Sequence, residues 1–389
     1  MTVAPIRGKP TNGRSEPGRR VFLVGLVLPR QPASLVEEHL DELAELVAAS
    51  GAEVAGRAVQ SRKRPDPATL IGRGKAEEIG RAIDELKAEV VLFDDDLSPG
   101  QVKNLEKILE VTVLDRSALI LEIFRLRARS REARTQVELA ELKYLLPRLT
   151  RRWTHLSRQA GGIGVRGGEG EKQLEADRRM LRKRIAKLER DLTKIEKTRS
   201  LQRRGRRHAP TIALAGYTNA GKSTLFNRLT RAGTYVQDQV FATLDAKLRR
   251  GALDAEHVVL FADTVGFIRK LPHHLVASFR STLGEVTEAD LVLHVVDRAN
   301  PRWREQMEVA EEVMGELGVD PERVVTVLNK CDLSNGFAPG DEMARINGGG
   351  LRVSAVTGEG LEALKVHLAE RLEATLRESG RPPLRAEAR

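Results

Sequence analysis

The sequence predicts an α/β chain in three parts: a small N-terminal parallel α/β domain, an antiparallel helical hairpin, and a larger α/β domain of the phosphate-loop kind. Three observations predict it. Short apolar strands alternate with helix-like stretches from Val21 to about Asp115. Leucines then recur at steps of three and four through a region almost free of strand character. Finally, Gly216-Tyr217-Thr218-Asn219-Ala220-Gly221-Lys222-Ser223 stands between an apolar run and a helical stretch.

Residues 1–18, rich in Gly, Pro and Arg, are expected to be disordered. The first domain is expected over 19–127. Its elements read Val21 to Leu28, Leu35 to Ala49, Glu53 to Gln60, Lys75 to Lys87, Val90 to Phe93, Gln101 to Leu109 and Val111 to Leu114. Alternation of this kind argues a parallel sheet covered by helices. From 128 to 207, Leu139, Leu142, Leu146 and Leu149 line one helix, and Leu181, Ile185, Leu188, Leu192 and Ile195 line another. The glycine-rich stretch Gln159 to Gly168 between them fits neither element and is expected to be mobile.

Charge is concentrated in that second part. Between Thr150 and His208 there are nineteen Lys or Arg against seven Asp or Glu, an excess of +12, while the whole chain carries +10. The remainder therefore carries about −2, and the helical segment owns the basicity. A charged helix face is most often merely solvated. Here the excess flanks a glycine loop led by Arg151, Arg152, Trp153, His155 and Arg158, which suits a phosphate backbone.

The third part is expected over 208–376, with a charged tail at 377–389. Thr211 to Ala215 reads as a buried strand and Lys222 to Arg231 as the helix facing the phosphates. In such a loop the backbone N–H groups from Gly216 to Thr224 wrap the β-phosphate, Lys222 reaches the β- and γ-phosphates, and Ser223 ligates Mg²⁺. Asp263-Thr264-Val265-Gly266 follows forty residues after Ser223 at a strand end. It supplies a carboxylate for Mg²⁺ through water and a glycine N–H for the γ-phosphate. Asn329-Lys330-Cys331-Asp332 ends a further strand, and the Asp332 carboxylate matches the N1–H and N2–H₂ donors that guanine has and adenine lacks. Ser354-Ala355-Val356 completes the base site, with the Ala355 N–H expected at guanine O6. Thr243, in Phe241-Ala242-Thr243-Leu244-Asp245, is read as the switch threonine closing on Mg²⁺ and the γ-phosphate, with a plain loop hydroxyl as the alternative. Together these motifs predict a Ras-like domain that binds GTP and GDP.

With 389 residues, 41% of them apolar, the chain has room for several cores. Its one cysteine, Cys331, excludes a disulfide framework and a Cys-rich zinc site. No apolar run reaches the length of a membrane span, and no secretory leader is expected, so a cytoplasmic monomer is the expectation.

Several stretches resemble the HflX family of translational GTPases. They include Asp94 to Pro99, Val113-Leu114-Asp115-Arg116, Ala128 to Ala133, Gln136 to Ala140, Tyr144 to Leu149, Gly161-Gly162-Ile163-Gly164 and Gln173-Leu174-Glu175. The resemblance runs from Val21 to Leu376. It implies association with the large (50S) ribosomal subunit, and splitting of stalled or idle 70S ribosomes or a role in ribosome biogenesis. It also implies contact of the glycine loop and hairpin with ribosomal RNA, for which Arg151, Arg152, Arg158, Arg166, Arg178 and Arg179 are the candidates. The chain departs from the family at Arg166 to Glu175, where a loop one residue longer lacks the usual proline.

Phe267 follows Gly266 where Ras-like enzymes use Gln to orient water, and a phenyl ring has no donor or acceptor for that task. Slow intrinsic hydrolysis, raised by the ribosome, is expected with Lys222, Thr243, Gly266 and Phe267 as the catalytic set. Asn219 resembles the potassium ligand of cation-stimulated GTPases, which makes K⁺ a second candidate ion. Two other classes stay open: an ATP-dependent RNA-remodelling enzyme using the first domain, and a 50S assembly factor that splits nothing.

Overall fold

The computed structural model describes residues 19–150, 168–205, 209–230, 241, 244–270, 280–333 and 350–378. The chain divides into two units, 1–126 with 134–192 and 127–133 with 193–389. Among the described residues no helix is long and apolar enough to cross a membrane.

The first unit is built on four parallel strands, β1 (Arg20–Val27), β2 (Glu53–Ser61), β3 (Val90–Phe93) and β4 (Thr112–Asp115), in the order β2-β1-β3-β4. Strands buried on both faces carry unbroken apolar runs, as Val90 to Phe93 does. Helix α1 (Ala33–Ser50) buries Leu40, Leu43, Leu46 and Val47 and stops at Gly51, whose left-handed backbone closes the last turn. Helices α2 (Arg73–Leu86) and α3 (Pro99–Leu109) supply Ile79, Ile83 and Leu105 to a core shared with Phe22, Val24, Val91 and Phe93. A capping box between Ser98 and Gln101, with Pro99 in the first turn, starts α3.

Helix α4 (Arg116–Arg127) is not predicted by the periodicity, because Arg116 to Phe124 is buried without a break. A helix buried on every side, with Arg116, Ser117 and Glu122 inside along with its apolar residues, has no stripe to read. After it come α5 (Arg131–Leu145) and the long helix Gly168–Gly205. The leucine spacing is met in part: Leu139 and Leu142 cluster with Leu188, flanked by Leu181, Ile185 and Leu192, whereas α5 stops at Leu145, so Leu146 and Leu149 lie past its end and Leu149 sits in a short 3-10 turn. Arg184 donates to Glu138 at 2.7 and 2.9 Å beside this seam.

The second unit carries six strands, β5 (Thr211–Ala215), β6 (Lys247–Ala252), β7 (Val258–Asp263), β8 (Leu291–Asp297), β9 (Val324–Asn329) and β10 (Leu351–Arg352), ordered β10-β9-β8-β5-β7-β6. Only β6 runs antiparallel. One core joins Ile212, Leu214, Phe261 and Leu293 to Leu225 and Phe226 of the phosphate helix Lys222–Leu229 and to Leu364, Leu368 and Leu372 of the helix Leu361–Glu378. The phosphate helix is two residues shorter than its sequence pattern, with Thr230 donating from its hydroxyl to Phe226 O at 2.7 Å. Strands β5, β7 and β9 end together on one edge, the crevice where open α/β sheets bind ligands.

Candidate functional site

The turn after β5 is shaped by what it must not contain. Gly221 has φ +88°, and a Cβ there would lie 2.3 Å from Asn329 Nδ2. Only glycine tolerates both conditions. Asn219 adopts φ +60° at the exposed crown of the loop. Lys222 is fully buried and folds back over the loop, donating from Nζ to Gly216 O at 3.0 Å and Tyr217 O at 2.6 Å. Burial pushes its ammonium down to about 8, with Asp263 opposing the fall. A desolvated cation held by two carbonyls gains most when a phosphate arrives.

Ser223 donates from Oγ to Asp263 Oδ2 at 2.8 Å, so the strand-end carboxylate and the first-turn hydroxyl converge beside that lysine. Thr264 anchors the same strand end through Oγ1 to Leu214 O at 2.6 Å. Two hard oxygen donors next to a phosphate loop suit Mg²⁺. Gly266 packs so closely that a Cβ there would lie 2.8 Å from Thr218 Cα and 2.9 Å from Lys222 Nζ. Val265 is buried behind it.

Phe267 is fully buried, and its backbone pairs with the loop. Its N–H donates to Gly216 O at 3.0 Å and its carbonyl accepts from Thr218 N–H at 2.7 Å. The Arg269 N–H donates to the Tyr217 hydroxyl at 2.9 Å. Three bonds thus hold the segment after Gly266 against the phosphate loop.

The residues expected to read the base meet across three elements. Asn329 donates from Nδ2 to Ala220 O at 2.9 Å and accepts at Oδ1 from Ala355 N–H at 3.0 Å. It therefore ties the phosphate loop to the loop after β10. Lys330 pairs with Asp297 at 2.8 Å, and the Cys331 thiol points to Leu328 O at 3.2 Å. Asp332 is exposed, flanked by Leu333, and Val356 is also open, at 65% and 63% respectively for the two apolar side chains. Ser354 turns inward and accepts at Oγ from Thr357 N–H at 3.0 Å.

Phe241 and Leu244 are buried. The Asp245 carboxylate accepts from the Ser130 N–H at 3.1 Å and from the Ser130 hydroxyl. Thr243 and Ala242 lie outside the described residues, as do Arg151, Arg152, Arg158, Arg166 and the glycine stretch up to residue 167. Arg178 is half-buried and Arg179 exposed on the long helix. Ser130, Arg228, which reaches the carbonyls of Ala355 and Val356, and His294, buried on β8, were not singled out by sequence. Ser130 lies in the stretch Ala128 to Ala133 that carries the resemblance, but nothing there points to Asp245, while an arginine on an exposed face and a histidine in an apolar strand carry no motif.

Comparison with known proteins agrees along the chain. Residues 37–125 match the family described as GTP-binding GTPase N-terminal, 127–206 the GTP-binding GTPase Middle Region, and 211–330 the 50S ribosome-binding GTPase. The chain is 49% identical over 349 residues to a GTPase HflX of Magnetococcus marinus, covering 89% of this chain and 80% of that one. It is 49% identical over 341 residues to the GTPase HflX of Escherichia coli, covering 86% and 79%. The solved complex of SsGBP with GDP superposes with a TM-score of 0.50 at 25% identity, over 91% of this chain and 99% of that one. With a phosphate loop, a strand-end carboxylate and the Asn329 to Asp332 segment brought to one edge of the sheet, and relatives matching most of its length, the chain belongs to the HflX family of GTPases.

Proposed function

We propose that this GTPase is a guanine-nucleotide switch acting on the large (50S) ribosomal subunit, with hydrolysis stimulated there and 70S splitting as its output. The observation that carries the reading is Phe267. A buried phenyl ring, held by its backbone to Gly216 and Thr218, offers nothing to orient a water. The chain's own groups position the phosphates and leave the water to be placed by a partner.

Lys222 is assigned to the β- and γ-phosphates, the loop N–H groups of 219–224 to the β-phosphate, and the Gly266 N–H to the γ-phosphate. Ser223, Thr243 and, through water, Asp263 are assigned to Mg²⁺, which when bound neutralises charge developing on the phosphate oxygens. Asp332 and the Ala355 N–H read guanine. A guanine O6 would take over the Ala355 N–H that Asn329 now accepts. Asn219, at the open crown of the loop, is assigned to K⁺, in the place of an arginine finger. RNA contact is assigned to Arg178 and Arg179 on the long helix, with Arg151, Arg152, Arg158 and Arg166, on the strength of the +12 charge excess in 150–208.

The test is GTP hydrolysis with and without purified 50S subunits and 70S ribosomes, in K⁺ and in Na⁺, with sedimentation at two salt concentrations. Stimulation of about 10²-fold or more by 50S is expected from a completed water site, with 70S dissociating in GTP. Rates indifferent to ribosomes would refute the switch reading, and binding without dissociation would leave the assembly role.

A further inference from the structure

We infer that Arg228 is a positioning residue for guanine recognition, acting through the loop that follows β10. It rests on the reading of that loop as the base site. Arg228 lies in the last turn of the phosphate helix Lys222–Leu229, six residues after the phosphate lysine. Its guanidinium takes two successive carbonyls: Nε donates to Ala355 O at 3.0 Å, and Nη2 donates to Val356 O.

The loop it holds is braced by its own turn, with Ser354 N–H donating to Glu359 O at 3.0 Å, Gly358 N–H to Ser354 O at 2.9 Å and Thr357 N–H to Ser354 Oγ at 3.0 Å, but none of these bonds reaches the carbonyls of Ala355 and Val356. Strand β10 is two residues long and, among the described residues, pairs only with β9. Ala355 is held by side chains in both of its peptide planes: its N–H, in the plane shared with Ser354, by Asn329 Oδ1 at 3.0 Å, and its C=O, in the plane shared with Val356, by Arg228. With the plane on either side of its Cα held, the Ala355 backbone does not pivot, and its N–H is aimed before a base oxygen arrives. The second carbonyl fixes the backbone of Val356, whose side chain is 63% exposed beside the base reader.

The planar fork offers neighbouring carbonyls two separate donors in a fixed geometry, whereas a lysine ammonium must reach both from one point, as Lys222 does at Gly216 and Tyr217. Because Arg228 and Lys222 share one helix, phosphate cradle and base loop are joined through a rigid element about 9 Å long, at 1.5 Å per residue. Charge at the helix carboxyl end adds to the fit.

The test uses the full chain with Arg228→Ala and Arg228→Lys, following release of fluorescently labelled GDP and IDP and measuring kcat at saturating GTP. Inosine keeps O6 and lacks the 2-amino group. The Ala variant is expected to release both nucleotides about tenfold faster, since one lost charged contact is worth about that factor. Its kcat should stay within twofold, and Lys should recover part of the loss. Release of GDP within threefold of wild type by the folded Ala variant would overturn the inference, as would faster release of GDP but not IDP. If the Ala variant does not fold, Arg228→Gln is judged by the same threshold. Wild-type protein that holds GDP and ADP equally would instead refute the base-site reading, independently of Arg228.

Discussion

Both parallel sheets end their strands in acidic and polar side chains, and they use them in opposite ways. At the ends of β3 and β4, Asp94 and Asp115 are buried and already matched. Arg116 donates to Asp94 at 2.8 Å and to Glu42 at 2.7 Å. Asp115 accepts from Tyr144 at 2.8 Å, Ala118 N–H at 2.9 Å and Arg148 at 2.6 Å, and Arg148 stacks 3.6 Å from the Tyr144 ring centre. At the ends of β5 and β7, by contrast, a glycine-rich turn leaves room, and Lys222 rests on carbonyls that a phosphate outbids. The difference teaches that the strand-end crevice of an α/β sheet becomes a ligand site only where side chains leave it unfilled. Where Arg116 and Arg148 fill it, the same geometry gives a closed ion network.

Breaking that network tests the comparison hardest. Arg116→Ala leaves Asp94 and Glu42 without their shared cation, and a loss of about 3–5 kcal/mol is expected from urea unfolding. GDP affinity of the folded fraction should stay within about twofold if the network is purely structural.

Lys222→Ala is the mirror case. A fall of about 10²–10³-fold in kcat/KM for GTP is expected, the scale of one lost oxyanion donor, while thermal stability should not fall, because the buried ammonium is poorly solvated. Since burial holds its pKa at about 8, GDP affinity should start to decline as pH rises through that value, measured by titration from pH 7 to 9.5.

His294 sharpens the contrast at smaller scale. It is fully buried, neither ring nitrogen has a partner among the described residues, and burial, with Lys222 nearby, pushes it from 6.5 to about 4. Between those values the unfolded chain binds a proton that the folded chain refuses, so stability falls as pH drops from 6.5 toward 4. His294→Leu should gain roughly 2 kcal/mol on wild type at pH 5 relative to pH 7, read from melting at both.

Ser130→Ala is expected to cost least, about 1 kcal/mol, because Ser130 accepts from Ala133 N–H at 3.0 Å as a cap for α5 while its hydroxyl and N–H hold Asp245. A measured loss near zero would mean that Asp245 finds other partners.

The order and spacing of the nucleotide motifs were legible because each is a run of neighbours whose chemistry is local: a glycine turn, a lysine, a strand-end acid. The paired leucines of α5 and the long helix were legible for a similar reason, since one face of each is apolar and period alone reveals it. Helix α4 was not, because burial on every side erases the period. Residue order alone thus carries the fold class, the guanine nucleotide and the absence of a polar group at Phe267. Tertiary structure alone decided that Phe267 pairs with Gly216 and Thr218, that Asp245 meets Ser130, and that Arg228 grips the carbonyls of Ala355 and Val356. Those contacts join residues far apart in the chain, several of them through backbone groups that every residue carries, so no residue type announces them.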